Sequence, residues 1–172
     1  MKLVSACYST REEARKAKAR ILHQNVGSDI VVWCDWNIRP TCDIRALVEQ
    51  ALDGYDIACS KHPVRDCVYD EARVCWMLKK ANQMAIERQV SLYRGIVAPH
   101  SGLWELGVMF WRRTRQTESF GADWWEHMQD NTLRDQVSFP YCSRGLRINT
   151  LPHLFRGPGQ TPFKIDESVR FA

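Results

Sequence analysis

The sequence predicts an α/β layered domain. One observation supports that class, and a second excludes two well-known kinds of α/β protein. Short apolar runs rich in β-branched residues alternate along the chain with longer segments of helical periodicity, which is the pattern of strands packed against helices. Neither G-x-G-x-x-G nor G-x-x-x-x-G-K-[ST] occurs in the 172 residues, so neither a classical dinucleotide-binding fold nor a phosphate-loop NTPase is supported. A chain of this length forms one domain by default, and we predict a single domain over 1–172 with an extended C-terminal tail over 155–172.

Local residue patterns predict the strands and helices in the following order along the chain. The first strand is predicted at 3–8, and Ser9 or Thr10 can cap the helix after it, whose first turn carries acidic residues and whose later part is basic. The β-branched run at 30–33 predicts a buried second strand. The later predictions are a helix at 42–52, a strand at 57–60, mostly helix at 68–93 with a break near 80–82, a loop at 95–102, a strand at 106–112, a helix at 117–131, and short strands and turns from 138 onward.

Composition and charge narrow the class of protein. Hydrophobic residues make up 45% of the chain and charged residues 26%, which fits a soluble globular protein. The net charge of +4 suits an anionic ligand such as a nucleotide but is too small to require nucleic acid. The seven cysteines include no C-x-x-C pair, which argues against a zinc ribbon or a disulfide framework and for a reducing compartment. No signal peptide and no apolar stretch near ~18 residues is present, so a cytoplasmic location is predicted.

The first polar cluster follows the second predicted strand. Asp35 and Asn37 stand two positions apart at the carboxyl end of this apolar run, and ligands of open α/β sheets bind at the carboxyl ends of strands. Two oxygen side chains at this place can reach one hard cation, which in turn can hold a diphosphate. The alternative is that Asp35 only caps a turn.

Two further clusters flank later strands. His62 and Arg65 lie in a polar dozen, 60–71, that follows the strand predicted at 57–60. Arg65 offers a fork of donors for phosphate or sugar hydroxyls, or it pairs with a neighbouring acid in a surface turn. Glu105 stands just before the strand predicted at 106–112, where it is a candidate sugar-binding acid or general base, or an exposed turn residue.

The C-terminal third holds the remaining candidates. Arg134, Asp135 and Gln136 bring a cation, an acid and an amide together, either as a helix cap or to bind sugar hydroxyls. In the Gly- and Pro-rich tail, His153 and Lys164 flank Gly157 and Gly159. They could supply a metal ligand and a phosphate contact, although a single His in a tail is more often exposed.

The ordered set of these segments resembles the glycosyltransferase-like domain of the TOD/MUCI type, formerly a domain of unknown function. The resemblance covers roughly 11–141. The blocks that carry it are W-C-D-W-N-I at 33–38, S-K-H-P-V-R-D-C-V-Y-D-E-A at 60–72, Q-V-S-L-Y at 89–93, E-L-G-V at 105–108, W-W at 124–125 and R-D-Q-V-S-F-P-Y at 134–141.

The resemblance implies a GT-A-like fold, a mixed sheet flanked by helices, here with a reduced N-terminal half. It also implies a nucleotide-sugar donor, first of all a UDP-sugar, and a divalent cation, Mn²⁺ or Mg²⁺. The tail is loosely similar to the His…Gly…Lys ending of retaining GT-A enzymes related to glycogenin, in which the His binds metal and the Lys binds diphosphate. The implied roles are metal binding by Asp35, Asn37 and His153, donor binding by Arg15, Lys18, His62, Arg65, Arg134 and Lys164, and catalysis by Glu105, Asp135 and Gln136.

The sequence therefore predicts a metal-dependent glycosyltransferase that moves a hexosyl or pentosyl group to an unidentified acceptor, with no membrane partner. The alternatives are a non-catalytic nucleotide- or sugar-binding relative of the same fold and, less favoured, a nucleic-acid-associated protein. The donor sugar, the acceptor, the stereochemical course and the oligomeric state stay open.

Overall fold

The computed structural model of the chain describes residues 1–156 and 159–168. The strands are β1 (Lys2–Val4), β2 (Ile30–Cys34), β3 (Ile38–Pro40), β4 (Ile57–Lys61), β5 (Trp104–Arg112), β6 (Ile148–Leu151) and β7 (Phe163–Ile165). The helices are α1 (Arg11–Ala19), α2 (Ile21–Gln24), α3 (Arg45–Ala51), α4 (Val68–Met77), α5 (Gln83–Tyr93), α6 (Arg115–Asp130) and α7 (Asp135–Cys142). None of the helices in the described ranges combines the length and the apolar character that crossing a bilayer would need.

A mixed five-stranded sheet in the order β1-β2-β5-β4-β6 forms the centre of the fold. Strand β5 runs antiparallel to both neighbours, β2 and β4, whereas β1 pairs parallel with β2 and β6 pairs parallel with β4. Four strands therefore point one way and the central strand points the other. The carboxyl ends of β1, β2, β4 and β6 meet the amino end of β5 at a single edge, which we call the functional edge.

Both faces of this sheet are buried, which explains why β2 is apolar without alternation. Val31 and Trp33 pack with α1, α2, α6 and α7 in one core, and the side chains between them, Val32 and Cys34, pack on the opposite face with α3 and the C-terminal segment. A third, smaller core joins α4 and α5 to α7. The aromatic residues Trp124 and Trp125 of α6 are both buried, at 0% and 5% exposure.

Three predicted elements differ in the structure. The first strand ends at Val4, because only Lys2–Val4 pairs with β2. Helix α7 continues through Cys142, where turns were expected, because its buried Val137 and Phe139 pack into two of the cores and outweigh the local effect of Pro140. Part of the C-terminal tail forms β7, which pairs antiparallel with β3, and the buried Phe163 places it in the second core.

Candidate active site

The polar clusters predicted from the sequence meet at the functional edge because of the strand directions. Asp35 follows β2, His62 follows β4 and His153 follows β6, while Glu105 is the second residue of β5. Since β2, β4 and β6 all run antiparallel to β5, these residues lie at the same edge of the sheet. This placement is the one used for ligand binding in open α/β sheets.

A cleft of about 240 Å³, which we call the polar cleft, opens at this edge. It is lined by charged or amide side chains together with a small apolar floor. The polar lining residues are Arg15, Lys18, Asp35, Asn37, Glu105, Asp135, Gln136 and Arg156, and the floor is formed by Ile38, Leu106, Gly107, Phe155 and Ile165.

A buried ion cluster forms the wall of the polar cleft on the side of α1. The Nζ of Lys18 lies 2.9 Å from Oδ2 of Asp135, 3.0 Å from Oδ1 of Asp35 and 2.9 Å from the carbonyl oxygen of Leu106. The ammonium group therefore donates hydrogen bonds to Asp135 and to the Leu106 carbonyl and forms an ion pair with Asp35. The sequence prediction that Lys18 binds donor phosphates does not fit this geometry; Lys18 instead holds the two carboxylates in place.

Asp135 is a carboxylate at the first position of α7 and is 3% exposed. Burial by itself would raise the pKa of this carboxyl, but the neighbouring charges of Arg15, Lys18 and Arg134 outweigh burial and hold the pKa well below its usual range. Arg15 Nη1 lies 2.8 Å from Asp135 Oδ2. Asp135 is therefore a fixed anion at neutral pH and organises the cations around it.

Asp35 is the more accessible acid of the cluster, with its side chain 33% exposed. Its Oδ1 accepts a hydrogen bond from the indole Nε1 of Trp33, at 2.8 Å, and forms an ion pair with Lys18. Its backbone is fixed by a bond to the Gly107 carbonyl at 2.7 Å. One carboxylate oxygen is thus held by the protein, and Oδ2 takes part in no hydrogen bond among the described residues.

Glu105 combines burial with an unpaired oxygen. Its Oε1 accepts a hydrogen bond from Nε of Arg156 at 2.7 Å, whereas its Oε2 is buried and has no partner among the described residues. Burial raises the pKa of the Glu105 carboxyl even though the Arg156 charge acts in the opposite direction. A carboxylate with a raised pKa in the lining of a cleft has the properties of a general base.

Arg15 and Gln136 complete the group that the structure brings together. Gln136 lines the polar cleft beside Asp135, and its Nε2 lies 3.4 Å from the carbonyl oxygen of Trp104. Arg15 uses one nitrogen on Asp135 and is 20% exposed, which leaves further N–H donors of its guanidinium for a ligand.

The His-x-x-Arg block lies at the functional edge but does not line the polar cleft. Nδ1 of His62 accepts from the backbone N–H of Val64 and Arg65, at 3.3 and 3.1 Å, so it organises the turn after β4. Arg65 Nε donates to Oε2 of the buried Glu71 at 2.7 Å. Burial, together with the Arg65 charge, lowers the pKa of His62. The geometry supports the turn and ion-pair alternative for both residues.

Three further predicted residues are also not brought to the polar cleft. Arg134 Nε is buried without a partner among the described residues, and Arg134 lines a neighbouring pocket instead. Lys164 pairs in register with Arg39, and both point to the face opposite Ile38 and Ile165, the two residues of this ribbon that line the cleft.

His153 follows β6 and is near enough to Glu105 to lower its pKa. Gly157 lies outside the described residues.

The sequence predictions missed several residues in or beside the polar cleft, among them Trp33, which donates to Asp35, and the cleft residues Gly107, Phe155 and Arg156. Trp33 and Gly107 carried a local signal, since Trp33 shares a strand face with Asp35 and an isolated glycine in a strand indicates close approach of another group. A Cβ on Gly107 would lie 2.8 Å from Cζ of Phe155. Phe155 and Arg156 gave no signal, because they reach the cleft only through the folding of the C-terminal segment.

A second pocket of about 250 Å³ adjoins the polar cleft and shares Arg15 and Asp35 with it. We call it the aromatic pocket because Tyr8, Trp33 and Trp36 line it, along with basic side chains such as Arg11 and Lys80. The rings of Tyr8 and Trp33 stack with centroids 6.2 Å apart. An anionic ligand with a flat ring could therefore extend from one pocket into the other.

The cation-binding capacity of the polar cleft rests on a small donor set. Asp35 and Asn37 supply oxygens, the ligand type that Mg²⁺ and Mn²⁺ use. The buried Nδ1 of His153 has no hydrogen-bond partner in the described chain, which is consistent with a ligand role for this imidazole. Among residues 1–156 and 159–168, one group of three His, Cys, Asp or Glu residues has ligand atoms within 4.8 Å of one another. That group is Cys67, Asp70 and His100, and it does not include Asp35.

The chain is thus an α/β domain with a mixed sheet flanked by helices and a carboxylate-rich cleft at the carboxyl ends of four of its strands. Comparison with the solved WbbM structure confirms that the fold is of the GT-A type. The WbbM bifunctional glycosyltransferase matches with a TM-score of 0.53 at 14% sequence identity, over 87% of this chain and 26% of that protein. Mouse xyloside xylosyltransferase 1 matches with a TM-score of 0.49 at 14% identity, over 95% of this chain and 67% of that one.

The chain belongs to the TOD1/MUCI70 glycosyltransferase-like domain family, whose sequence model matches residues 15–158. This confirms the family resemblance that the sequence blocks carried. The chain spans 26% of the WbbM protein, so the activity of that whole protein is not transferred to it. A search of curated proteins found no match.

Proposed function

We propose that this domain is a metal-dependent glycosyltransferase that moves a hexosyl or pentosyl group from a nucleotide sugar, first of all a UDP-sugar, to an acceptor hydroxyl. The observation that carries the proposal is the convergence of Arg15, Asp35, Glu105, Asp135 and Gln136 on one cleft at the functional edge. Membership of a glycosyltransferase-like family supports the same reaction class.

The two pockets suit different parts of the nucleotide-sugar donor. The base fits the aromatic pocket, where ring stacking is available beside Tyr8 and Trp33. The diphosphate lies at the junction, where Arg15 has guanidinium donors to spare for its oxygens. The sugar then occupies the polar cleft, where Gln136 and Asp135 bind its hydroxyls.

Asp35 and Asn37, which line the polar cleft, are the residues that would hold the divalent cation; His153 is not brought to that cleft, although its buried Nδ1 has no hydrogen-bond partner among the described residues. A bound Mn²⁺ or Mg²⁺ would supply positive charge to the leaving diphosphate. Lys18 fixes Asp35 and Asp135 in position before the donor arrives, and such preorganisation lowers the cost of stabilising charge during the reaction.

Glu105 is placed for the acceptor side of the reaction. The acceptor oxygen forms a bond to the anomeric carbon while the bond from that carbon to the diphosphate oxygen breaks, and the diphosphate leaves with the electron pair. The carboxylate of Glu105, which lines the polar cleft, faces the reacting carbon or takes the proton of the acceptor hydroxyl. Arg156 holds Oε1 of this carboxylate and fixes its orientation.

A second candidate, a non-catalytic nucleotide- or sugar-binding module, is favoured by one specific observation. The charge of Asp35 is already paired with Lys18 through Oδ1, and the second oxygen ligand of the D-x-N motif, Asn37, is an uncharged amide. A cation would thus meet one free carboxylate oxygen in this motif. Ligand binding that does not depend on metal and leads to no turnover would identify this module.

Thermal unfolding of the purified protein with a panel of nucleotide sugars, with and without Mn²⁺, tests the proposal. A ligand that binds only the native state raises the midpoint. We expect one class of nucleotide sugar to raise it more with Mn²⁺ than without, and donor hydrolysis to follow the same preference. Asp35→Asn should abolish the Mn²⁺-dependent part, whereas the matched control Asp53→Asn, at an exposed position after α3, should keep it.

The proposal fails if no nucleotide sugar shifts the midpoint and none is hydrolysed. A shift of equal size with and without Mn²⁺, in both the wild-type protein and Asp35→Asn, and without hydrolysis, would leave the binding module as the function.

A further inference from the structure

A cluster of metal-ligand residues lies outside the polar cleft, where α4 begins against the loop that follows α5. Cys67 is the N-cap residue of α4, Asp70 is three residues further on, and His100 lies in the loop before β5. One ligand atom of each residue lies within 4.8 Å of the other two. None of the three lines the polar cleft.

The environment of this cluster is graded from buried to exposed. Cys67 is 3% exposed, whereas the side chains of Asp70 and His100 are 45% and 63% exposed. A cavity of about 650 Å³ lies beside them and is lined by all three residues. A solvated ion therefore has access to the cluster from one side, and the thiol closes the other side.

The imidazole of His100 contacts a carboxylate, and the backbone of His100 has an uncommon conformation. Its Nδ1 lies 2.7 Å from Oδ1 of Asp66, so the Nδ1–H of the neutral ring has an acceptor and Nε2 keeps a free lone pair. A carboxylate on the other ring nitrogen is the usual neighbour of a metal-bound histidine. The backbone of His100 has a φ of 56°, an uncommon conformation for a residue other than glycine.

The two segments that carry the ligands are tied together by other bonds. The N–H of Gly102 donates to the carbonyl of Asp66 at 3.0 Å, and the hydroxyl of Tyr69 donates to the carbonyl of Val97 at 2.8 Å. These bonds flank the cluster on both segments. The spacing between the start of α4 and His100 is therefore fixed without a metal, which reduces the ordering cost of binding one.

We propose that Cys67, Asp70 and His100 form a zinc site that joins the start of α4 to the loop before β5, with water as the fourth ligand. A thiolate, an imidazole and a carboxylate together favour Zn²⁺ over Mg²⁺ or Mn²⁺. Ligand atoms around tetrahedral zinc lie about 3.5 Å apart at the usual bond lengths, so small side-chain rotations close the site. On binding, the Cys67 thiol releases its proton to solvent and its sulfur binds the ion.

This site is independent of the proposed transferase reaction. The polar cleft offers oxygen ligands from Asp35 and Asn37, whereas the zinc site includes sulfur, so different metals and different spectra separate the two. Its effect on the protein is to stabilise the loop that leads into β5 and thus into Glu105.

Titration of the reduced, metal-free protein with Zn²⁺ by calorimetry, and with Co²⁺ by absorption spectroscopy, tests the proposal. We expect one equivalent to bind and the Co²⁺ complex to show a thiolate-to-metal charge-transfer band. Cys67→Ser should remove that band, and His100→Asn, which keeps a residue that tolerates positive φ, should weaken binding roughly tenfold or more. Asp66→Asn should weaken it by about tenfold through the loss of the carboxylate on Nδ1.

Two control variants keep the experiment specific: Cys42→Ser and His23→Asn, both at exposed positions. Both should bind Zn²⁺ and Co²⁺ with the wild-type affinity and spectrum. A Co²⁺ spectrum without a thiolate band, or an affinity that His100→Asn leaves unchanged, overturns the proposal. Because His100 is exposed, that variant stays informative even if Cys67→Ser fails to fold.

Discussion

Lys18 and Asp135 form a buried ion pair that joins the first helix to the last one. Lys18 Nζ lies 2.9 Å from Asp135 Oδ2, and the two side chains are 1% and 4% exposed. Residues 117 positions apart in the sequence thus meet beside the polar cleft. Since Lys18 also binds Asp35, the pair sets the distance between the two acids of the candidate active site.

Replacing Lys18 with Met should strongly destabilise the fold. The substitution leaves the Asp135 carboxylate buried with Arg15 as its remaining salt-bridge partner, and removing one partner of a buried ion pair costs about 3–5 kcal/mol. Urea unfolding followed by circular dichroism measures the loss. The matched control is Lys16→Met on the exposed face of α1, which should change the unfolding free energy by no more than about 0.5 kcal/mol. Equal effects of the two substitutions would contradict the structure.

The stabilisation that Asp135 provides should disappear in acid. The pKa of Asp135 is lower in the folded than in the unfolded protein, so the folded state binds fewer protons. The contribution of Asp135 to the free energy of unfolding is therefore fully present above the unfolded pKa of about 4. It is lost as the pH falls toward the folded value. We therefore expect wild type to exceed Asp135→Asn in unfolding free energy at pH 7, with the gap narrowing below about pH 4.

Urea titrations of both proteins between about pH 5 and pH 2.5 measure this gap. The control Asp123→Asn, at an exposed position of α6, should differ little from wild type across the range. A gap between wild type and Asp135→Asn that stays constant as the pH falls would exclude the depressed pKa.

Gly121→Ala should destabilise the protein although it lies inside a helix. Helix propensity alone predicts a gain of about 0.8–1 kcal/mol for this change. In the structure, however, a Cβ on Gly121 would clash with the backbone oxygen of Ala19, so α6 and the end of α1 would have to separate. We expect a net loss of about 1–3 kcal/mol, measured by thermal or urea unfolding.

Ser119→Ala on the exposed side of α6 is the reference for that experiment. It changes helix propensity without entering the contact between the helices, so it should be neutral or slightly stabilising. If Gly121→Ala stabilises the protein as much as Ser119→Ala does, the close contact at Ala19 is not formed.

Arg156→Met should raise the pKa of Glu105 further. Burial already raises that pKa, and the Arg156 charge and hydrogen bond lower it, so removing the guanidinium removes the opposing effect. Titration of the side-chain carboxyl carbons by ¹³C NMR measures the change directly and needs no substrate. Arg115→Met, a residue that does not line the polar cleft, should leave the Glu105 titration unchanged. A pKa that stays constant or falls in Arg156→Met would show that the Arg156–Glu105 bond does not form in solution.

Four strands of the central sheet, most helices and the residue types of the candidate site could be predicted from local patterns, whereas β3 and β7 could not. Short residue patterns predict the β-branched run before Asp35, the break between α4 and α5 and the position of Glu105 at the start of β5. The end of the chain was less predictable: α7 continues through Pro140 because its apolar residues pack into the cores, and that packing is tertiary.

The amino-acid sequence by itself determined the α/β class, the family and the residue types at the ends of the strands, because these depend on periodicity and on residues close together in the chain. Only the tertiary structure decided which of the charged candidates share a cleft. It placed Lys18 between two acids, turned Lys164 to the other face of its ribbon and brought Arg156 to Glu105. Ion pairs between distant residues depend on strand order and direction, and residue spacing along the chain does not fix either.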